Sequence, residues 1–204
     1  MRILELFAGT GSVGNVARQM RFDVVSLDRD MAAEIQCDVM DWDFREYETK
    51  HFDIIWASPP CTEYSKCKTV GVRDIEGSNR VVERTLDIIE YFEPKYWILE
   101  NPQTGLLKDQ LCMYGLPYED VDYCKYGMDY RKRTRIWNNV FNWCPRGLCK
   151  RDCNAMNDTK TRHTNTAQRG PTKQNPANRN KQQQLYRVPR DLIYDILHAI
   201  PRTD

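Results

Sequence analysis

The sequence predicts an α/β domain built around an open sheet, and three observations carry that prediction. The apolar run Arg2-Ile3-Leu4-Glu5-Leu6-Phe7 passes through the glycine-bearing turn Ala8-Gly9-Thr10-Gly11-Ser12-Val13-Gly14 into a helical pattern that lasts to about Met20. Two later strand-type runs, Phe52-Asp53-Ile54-Ile55-Trp56 and Tyr96-Trp97-Ile98-Leu99-Glu100, are each followed by proline, which cannot continue a central strand. Between them Val81, Val82, Leu86, Ile88, Ile89 and Phe92 recur at helical spacing and make a core-facing stripe from Arg80 to Phe92. Strands alternating with helices in this way imply a mostly parallel sheet covered by helices.

Taken in order, the elements place chemistry at one edge of that sheet. Glycines between the first strand and its helix let the backbone approach a ligand at the helix N-terminus. Such a turn serves a dinucleotide, S-adenosylmethionine or no ligand at all. Asp23-Val24-Val25-Ser26-Leu27-Asp28 is the next strand, and Asp28 stands where an α/β nucleotide site holds ribose hydroxyls. A short third element precedes the loop Cys37-Asp38-Val39-Met40-Asp41. The run into Trp56 continues as Ala57-Ser58-Pro59-Pro60-Cys61-Thr62, so Cys61 is presented just past a strand end, where open sheets collect ligands; it is a candidate nucleophile. Glu100, at the end of the following strand, is expected on the same edge. Val121 to Cys124 and Arg135 to Val140 read as strands around a basic turn, Tyr130 to Arg135. Beyond Trp143 periodicity lapses until Val188 to Leu197, where Pro189 in the first turn starts a final amphipathic helix.

With 204 residues, 41% of them hydrophobic, the chain is long enough to bury one core without a second domain. No apolar run approaches the length needed to span a bilayer, and the first residues lack the basic and apolar regions of a signal peptide. A reducing compartment is therefore expected, cytoplasmic or elsewhere in the cell interior, where the eight cysteines serve as thiols, a nucleophile or metal ligands rather than as a disulfide framework. The formal charge of +1 hides an asymmetry. From Cys144 to Arg190 there are eleven Arg and Lys against two Asp, a local +9 that leaves −8 for the remainder. A basic tract this local points to a nucleic acid.

Five motifs, in order along the chain, resemble those of the DNA cytosine carbon-5 methyltransferase family. Phe7-Ala8-Gly9-Thr10-Gly11 resembles its cofactor turn, Ser58-Pro59-Pro60-Cys61 its nucleophile loop and Glu100-Asn101-Pro102 its glutamate motif. Arg133-Thr134-Arg135 resembles its paired arginines, and Tyr186-Arg187-Val188-Pro189 the start of its last helix. The resemblance implies a Rossmann-like S-adenosylmethionine-dependent methyltransferase fold with a small basic insert, S-adenosylmethionine as cofactor, and methylation of carbon 5 of cytosine in DNA. It implies that Cys61 adds to carbon 6 of the base, that Glu100 bonds the ring nitrogen 3 and the amine, and that Arg133 and Arg135 hold the thiolate loop and the base carbonyl. For the cofactor it implies Phe7, Ala8, Gly9, Thr10 and Gly11 around the methionine and sulfonium, Asp28 and Arg29 at the ribose, Asp38 and Val39 at the adenine, and Pro60 and Val188 completing the pocket. A base in a duplex cannot meet Cys61, so the target is flipped out or single-stranded. Departures from the family pattern are Ser12 for Gly, Thr62 for Gln and Arg131 for Gln. An RNA cytosine methyltransferase and a catalytically silent nucleic-acid-binding module remain alternatives, though retention of Cys61, Glu100 and both arginines argues against silence.

On this reading residues 1–143 form the catalytic core, 144–184 a short target-recognition insert and 185–204 a helix returning to the core. The insert is too polar to make its own core, and its Cys144, Cys149, Cys153 and His163 match the donor chemistry of a tetrahedral zinc site that could order it. DNA contacts are then expected from Lys150, Arg151 and Lys160 on phosphates and from Arg162, Gln168 and Arg169 on bases. DNA is the expected partner, with no membrane contact, and a monomer the expected state.

Overall fold

A computed structural model describes residues 1–171 and 182–201, so residues 172–181 of the predicted insert and the last three of the chain lie outside the described part. Strand β1 (Arg2–Leu6) leads into helix α1 (Ser12–Gln19), followed by β2 (Asp23–Asp28), β3 (Ile35–Gln36) and β4 (Ile54–Ala57). Helix α2 (Ile75–Phe92) precedes β5 (Tyr96–Pro102), β6 (Tyr118–Asp122) and β7 (Arg133–Asn138). A single turn, α3 (Gln182–Leu185), precedes α4 (Arg190–His198). The sheet order is β3-β2-β1-β4-β5-β7-β6, with β1 to β5 parallel and β7 inserted antiparallel between β5 and β6. All four residues of β4 are buried, as a strand covered on both faces requires.

Alternation along the strands divides the core in two. Ile3, Ile54, Trp56 and Ile98 pack with Val13, Val16 and Ala17 of α1 and Leu192, Ile193, Ile196 and Leu197 of α4. Leu4, Leu6, Ile55, Leu99 and Trp137 point to the other face, against Val82, Ile88 and Phe92 of α2. Helix α4 thus packs against α1. Among the described residues no helix is long and apolar enough to cross a membrane.

Several element boundaries differ from those read in the sequence: β4 begins at Ile54 rather than Phe52 and β5 runs on past Glu100 to Pro102, and others have identifiable causes or consequences. Helix α2 begins at Ile75 rather than near Arg80, because the Asp74 carboxylate accepts the Gly77 N–H at 2.7 Å and caps the first turn. Strand β6 ends at Asp122, and Tyr123–Tyr126 is a 3-10 turn that buries Tyr123, Cys124 and Tyr126. Strand β7 begins at Arg133, in register with Asp122, so part of the predicted basic turn is strand. Pro189 is the residue before α4 rather than a member of its first turn.

Helix α1 sits on β1 through a close approach at Gly14. Its N–H donates to Glu5 Oε2 at 3.0 Å, and a Cβ at this position would lie 2.5 Å from that oxygen. Glu5 is only 2% exposed, and burial raises its pKa from 4.5 to about 7 despite the backbone donors of Gly14 and Val13. A group with a raised folded pKa contributes its full stability below the unfolded value and loses that contribution as pH rises through the folded value. The stability of the wild-type protein relative to Glu5→Gln should therefore fall by roughly 3 kcal/mol between pH 4.5 and pH 8, at 1.36 kcal/mol per unit. Denaturant titrations of both proteins across that range check this; a difference independent of pH would contradict it.

Candidate active site

The turn after β1 is built from left-handed backbone. Phe7, Gly9 and Gly11 have φ of 61°, 53° and 67°, a region costly for Phe7 and easy for the glycines. Ala8 N–H donates to the Leu27 carbonyl at 3.1 Å, tying the turn to β2. The Asp28 carboxylate then organises two loops at once. Its Oδ2 accepts the Gly9 N–H at 2.8 Å, and its Oδ1 accepts those of Asp30 and Met31 at 2.9 and 2.7 Å. Three of its roughly four acceptor positions are thereby used within the chain. Arg29 bridges Asp30 and Asp38 on the outer wall, with its Nη1 3.3 Å from Asp38 Oδ2.

Strands β4 and β5 bring the other half of the site. Ala57 lies opposite Leu99 in the parallel register, so the residues beyond them emerge at the same edge. Asn101 is buried and its Nδ2 donates to the Pro59 carbonyl at 2.9 Å, which holds the Pro59-Pro60-Cys61 turn against the end of β5. Tyr123, fully buried, donates its hydroxyl to Glu100 Oε2 at 3.3 Å. Lys132 lies along the same sheet face as Glu100, its Nζ 5.0 Å from the centre of the Tyr123 ring and 3.2 Å from the Leu185 carbonyl. Burial pushes the Cys61 thiol up; the Lys132 ammonium opposes this and the Glu100 carboxylate adds to it.

Together these groups wall a cavity of about 540 Å³. Its lining includes Phe7, Ala8, Gly9 and Thr10, with Asp28, Arg29, Asp38 and Val39. Pro60, Cys61, Glu100 and Val188 line it as well. Gly11 does not line it and instead precedes the first residue of α1. Arg133 and Arg135 do not line it either. Their register places them on the sheet face opposite Glu100, in bidentate pairs with Asp122 and Asp120 at 2.8 to 3.1 Å. The cation that strand alternation directs into the cavity is Lys132, which the sequence reading passed over; the period of two from Thr134 was the signal that could have found it. Asn101 and Tyr123 were missed as well, because their roles depend on pairings across the sheet. Ser12, where the family pattern has Gly, accepts the Val188 N–H at 3.3 Å and so fastens the returning segment to the first turn.

A second cluster lies in the predicted insert, with one correction. Cys144 is exposed and stands outside it. Its place is taken by Cys124 from the turn after β6, and the donor atoms of Cys124, Cys149, Cys153 and His163 all lie within 4.8 Å of one another. His163 Nε2 is 3.5 Å from Cys149 Sγ and 3.4 Å from Cys153 Sγ. Sequence spacing favours Cys144 because it lies inside the insert beside the other three; the hairpin of β6 and β7 brings Cys124 in from outside it. Lys150, Arg151, Lys160, Arg162, Gln168 and Arg169 are all exposed.

Comparison with known proteins agrees with this geometry. Residues 1–111 match the family described as C-5 cytosine-specific DNA methylase. A protein of Frog virus 3 (isolate Goorha) named "Probable DNA (cytosine-5)-methyltransferase" is 32% identical over 217 residues, covering 97% of this chain and 99% of its own. A solved structure of a prophage-encoded protein (E. coli), named as a DNA modification methyltransferase, superposes with a TM-score of 0.53 at 16% identity. That match covers 73% of this chain and 52% of the solved one, and it bears on the fold.

The raised Cys61 pKa sets a pH dependence. In DNA-free protein, the rate of iodoacetamide alkylation at Cys61, followed by peptide mass spectrometry, should inflect above the ordinary thiol value of 9.0. Lys132→Met should move the inflection higher still. An inflection below the ordinary value would contradict the balance of burial and charge described.

Proposed function

Because the chain belongs to the C-5 cytosine-specific DNA methylase family and is a DNA (cytosine-5-)-methyltransferase, we propose that it works through a covalent bond from Cys61 to a cytosine held in the cavity described above. The observation that carries this reading is the meeting of Cys61 and Glu100 at adjacent strand ends, joined by the Asn101 hydrogen bond to Pro59. Carbon 5 of cytosine is a poor nucleophile. Addition of the Cys61 thiolate to carbon 6 breaks the 5,6 double bond and makes carbon 5 electron-rich, while Glu100 bonds ring nitrogen 3 and supports the density that builds there. Once carbon 5 has used that density to take up a methyl group, it carries both the methyl and its original proton; loss of that proton, with its electron pair re-forming the 5,6 double bond and expelling the Cys61 thiolate, gives 5-methylcytosine.

The residues present fit S-adenosylmethionine, which supplies an electrophilic methyl group. Gly9 and Thr10 of the left-handed turn would hold its methionine end, Asp28 with its remaining acceptor position would take a ribose hydroxyl, and Asp38 and Val39 would flank the adenine. Phe7 and Pro60, which also line the cavity, would contact the methyl donor. Lys132 is the cation placed to stabilise the Cys61 thiolate. Arg133 and Arg135, paired to carboxylates at the same edge, would meet the DNA backbone instead of the base. The exposed Lys150, Arg151, Lys160, Arg162, Gln168 and Arg169 of the insert would make the remaining contacts with the duplex.

Zinc is the metal that the second cluster fits. Three thiols and one imidazole make a closed N/S donor set, and ligand atoms bound to one zinc at about 2.0–2.3 Å lie roughly 3.5–3.8 Å apart in a tetrahedron. The distances from His163 to Cys149 and Cys153 match that spacing. The action proposed is that of a monomer, inside a cell where DNA and the methyl donor are both present.

Cys61→Ser tests the mechanism. Transfer of labelled methyl groups to DNA should fall by at least about a thousandfold, with the dissociation constant for S-adenosylmethionine within a few-fold of the wild type by calorimetry. Activity near that of the wild type would remove Cys61 from the reaction.

A further inference from the structure

The thiolate cluster and the paired-arginine strand meet at one side chain. Asp122 is fully buried at the end of β6, two residues before Cys124. Its Oδ1 accepts Arg133 Nε at 3.1 Å and its Oδ2 accepts Arg133 Nη2 at 2.8 Å. The same Oδ2 accepts the backbone N–H of Cys149 at 3.0 Å. Among the described residues, the side-chain hydrogen bonds of Arg133 all go to Asp122. A buried carboxylate is tolerated only while its donors stay in place, so the position of Asp122 depends on the loop that carries Cys149. That loop has little apolar packing: Cys124, Cys149 and Ala155, with Cys153 against them, make up its entire buried cluster.

Arg135 provides an internal comparison. It pairs with Asp120 in the same two-pronged way, at 2.8 and 3.0 Å, but among the described residues Asp120 makes no hydrogen bond to the thiolate loop. Two arginines two residues apart on one strand are therefore held by equivalent carboxylates, and only one of those carboxylates is tied to the cluster.

We propose that the metal centre sets the position of Arg133 through Asp122, making Asp122 a positioning residue that links metal loading to catalysis on DNA. The inference rests on the reading of Cys124, Cys149, Cys153 and His163 as a zinc site. With the ion bound, Cys149 is fixed, its amide completes the donor set of Asp122, and Arg133 is presented at the same sheet edge as Cys61 and Glu100. Without it, the loop loses its anchor, Asp122 loses one of three donors, and Arg133 is free to leave its place. Arg135 keeps its partner in either state.

The test is a cycle of metal removal against substitution, in the full chain. Elemental analysis of wild-type protein purified without chelator should find about one zinc per chain. EDTA should remove it, lower kcat on duplex DNA on the order of tenfold, leave the dissociation constant for S-adenosylmethionine within about twofold, and be reversed by zinc alone. Asp122→Asn should retain the zinc and show the lowered kcat already, and EDTA should then change kcat by less than about twofold, since the link is absent. Asp120→Asn should still show the full loss on metal removal. The Michaelis constant for DNA should rise on metal removal in all three proteins, because the insert loses order whether or not Arg133 is coupled to it. Should Asp122→Asn fail to bind S-adenosylmethionine, Arg133→Lys, which keeps the charge and loses the two-pronged pairing, takes its place with the same expectation. Equal loss of kcat on metal removal in the wild type and in these variants would overturn the coupling while leaving the zinc site in place. Absence of bound metal in the wild-type protein would overturn the zinc reading itself.

Discussion

The hydrogen bond from Asn101 to the carbonyl of Pro59 is the contact on which the active site depends most. Strands β4 and β5 run parallel with Ala57 beside Leu99; β4 ends there, while β5 continues to Pro102. Beyond Ala57 the chain turns away, and Pro59 and Pro60 have no N–H of their own to anchor that turn. A buried amide from the neighbouring strand supplies the anchor instead. Asn101 directly follows Glu100, and only Pro60 stands between Pro59 and Cys61, so the bond fixes how the nucleophile and the carboxylate face each other. The site is thus a property of the sheet, with each reactive group placed by a strand and positioned against the adjacent strand end.

The same economy closes the rest of the cavity. Asp28 holds the two loops that form the cofactor end, and Ser12 takes the backbone of Val188 to bring the C-terminal segment over it. Tyr130 and Lys132 meet that segment at the carbonyls of Gln184 and Leu185. The first and last elements of the chain therefore complete one wall together, and α4 packs on α1 because the wall needs both.

Much of this was legible in the sequence because it is written in local patterns. The strand from Asp23 to Asp28 coincides with its apolar run, β5 starts with its own at Tyr96 but runs on past Glu100 to Pro102, and the positions of Cys61, Glu100 and the glycine turn follow from where those apolar runs stop. What was not legible depends on contacts between segments distant along the chain. Arg133 and Arg135 look like site residues in sequence, yet strand alternation puts them on the face opposite Glu100 and brings Lys132 into the cavity. Cys144 looked like a ligand by proximity, whereas Cys124 reaches the cluster only because β6 and β7 fold back beneath the insert. The start of α2 was missed for a different reason: its first turn is held by a polar cap at Asp74 and carries little of the apolar period.

The central claim is that Cys61 forms a bond to cytosine within a site whose other wall is Glu100. It is tested most directly by incubating the protein and S-adenosylmethionine with duplexes containing 5-fluorocytosine, since fluorine cannot leave as a proton and the enzyme stays attached. The account predicts a denaturation-resistant complex with DNA, linked through Cys61 in the proteolytic peptide, and absent with Cys61→Ser. A complex linked through another cysteine, or none on duplexes that the protein methylates when they carry cytosine, would contradict it.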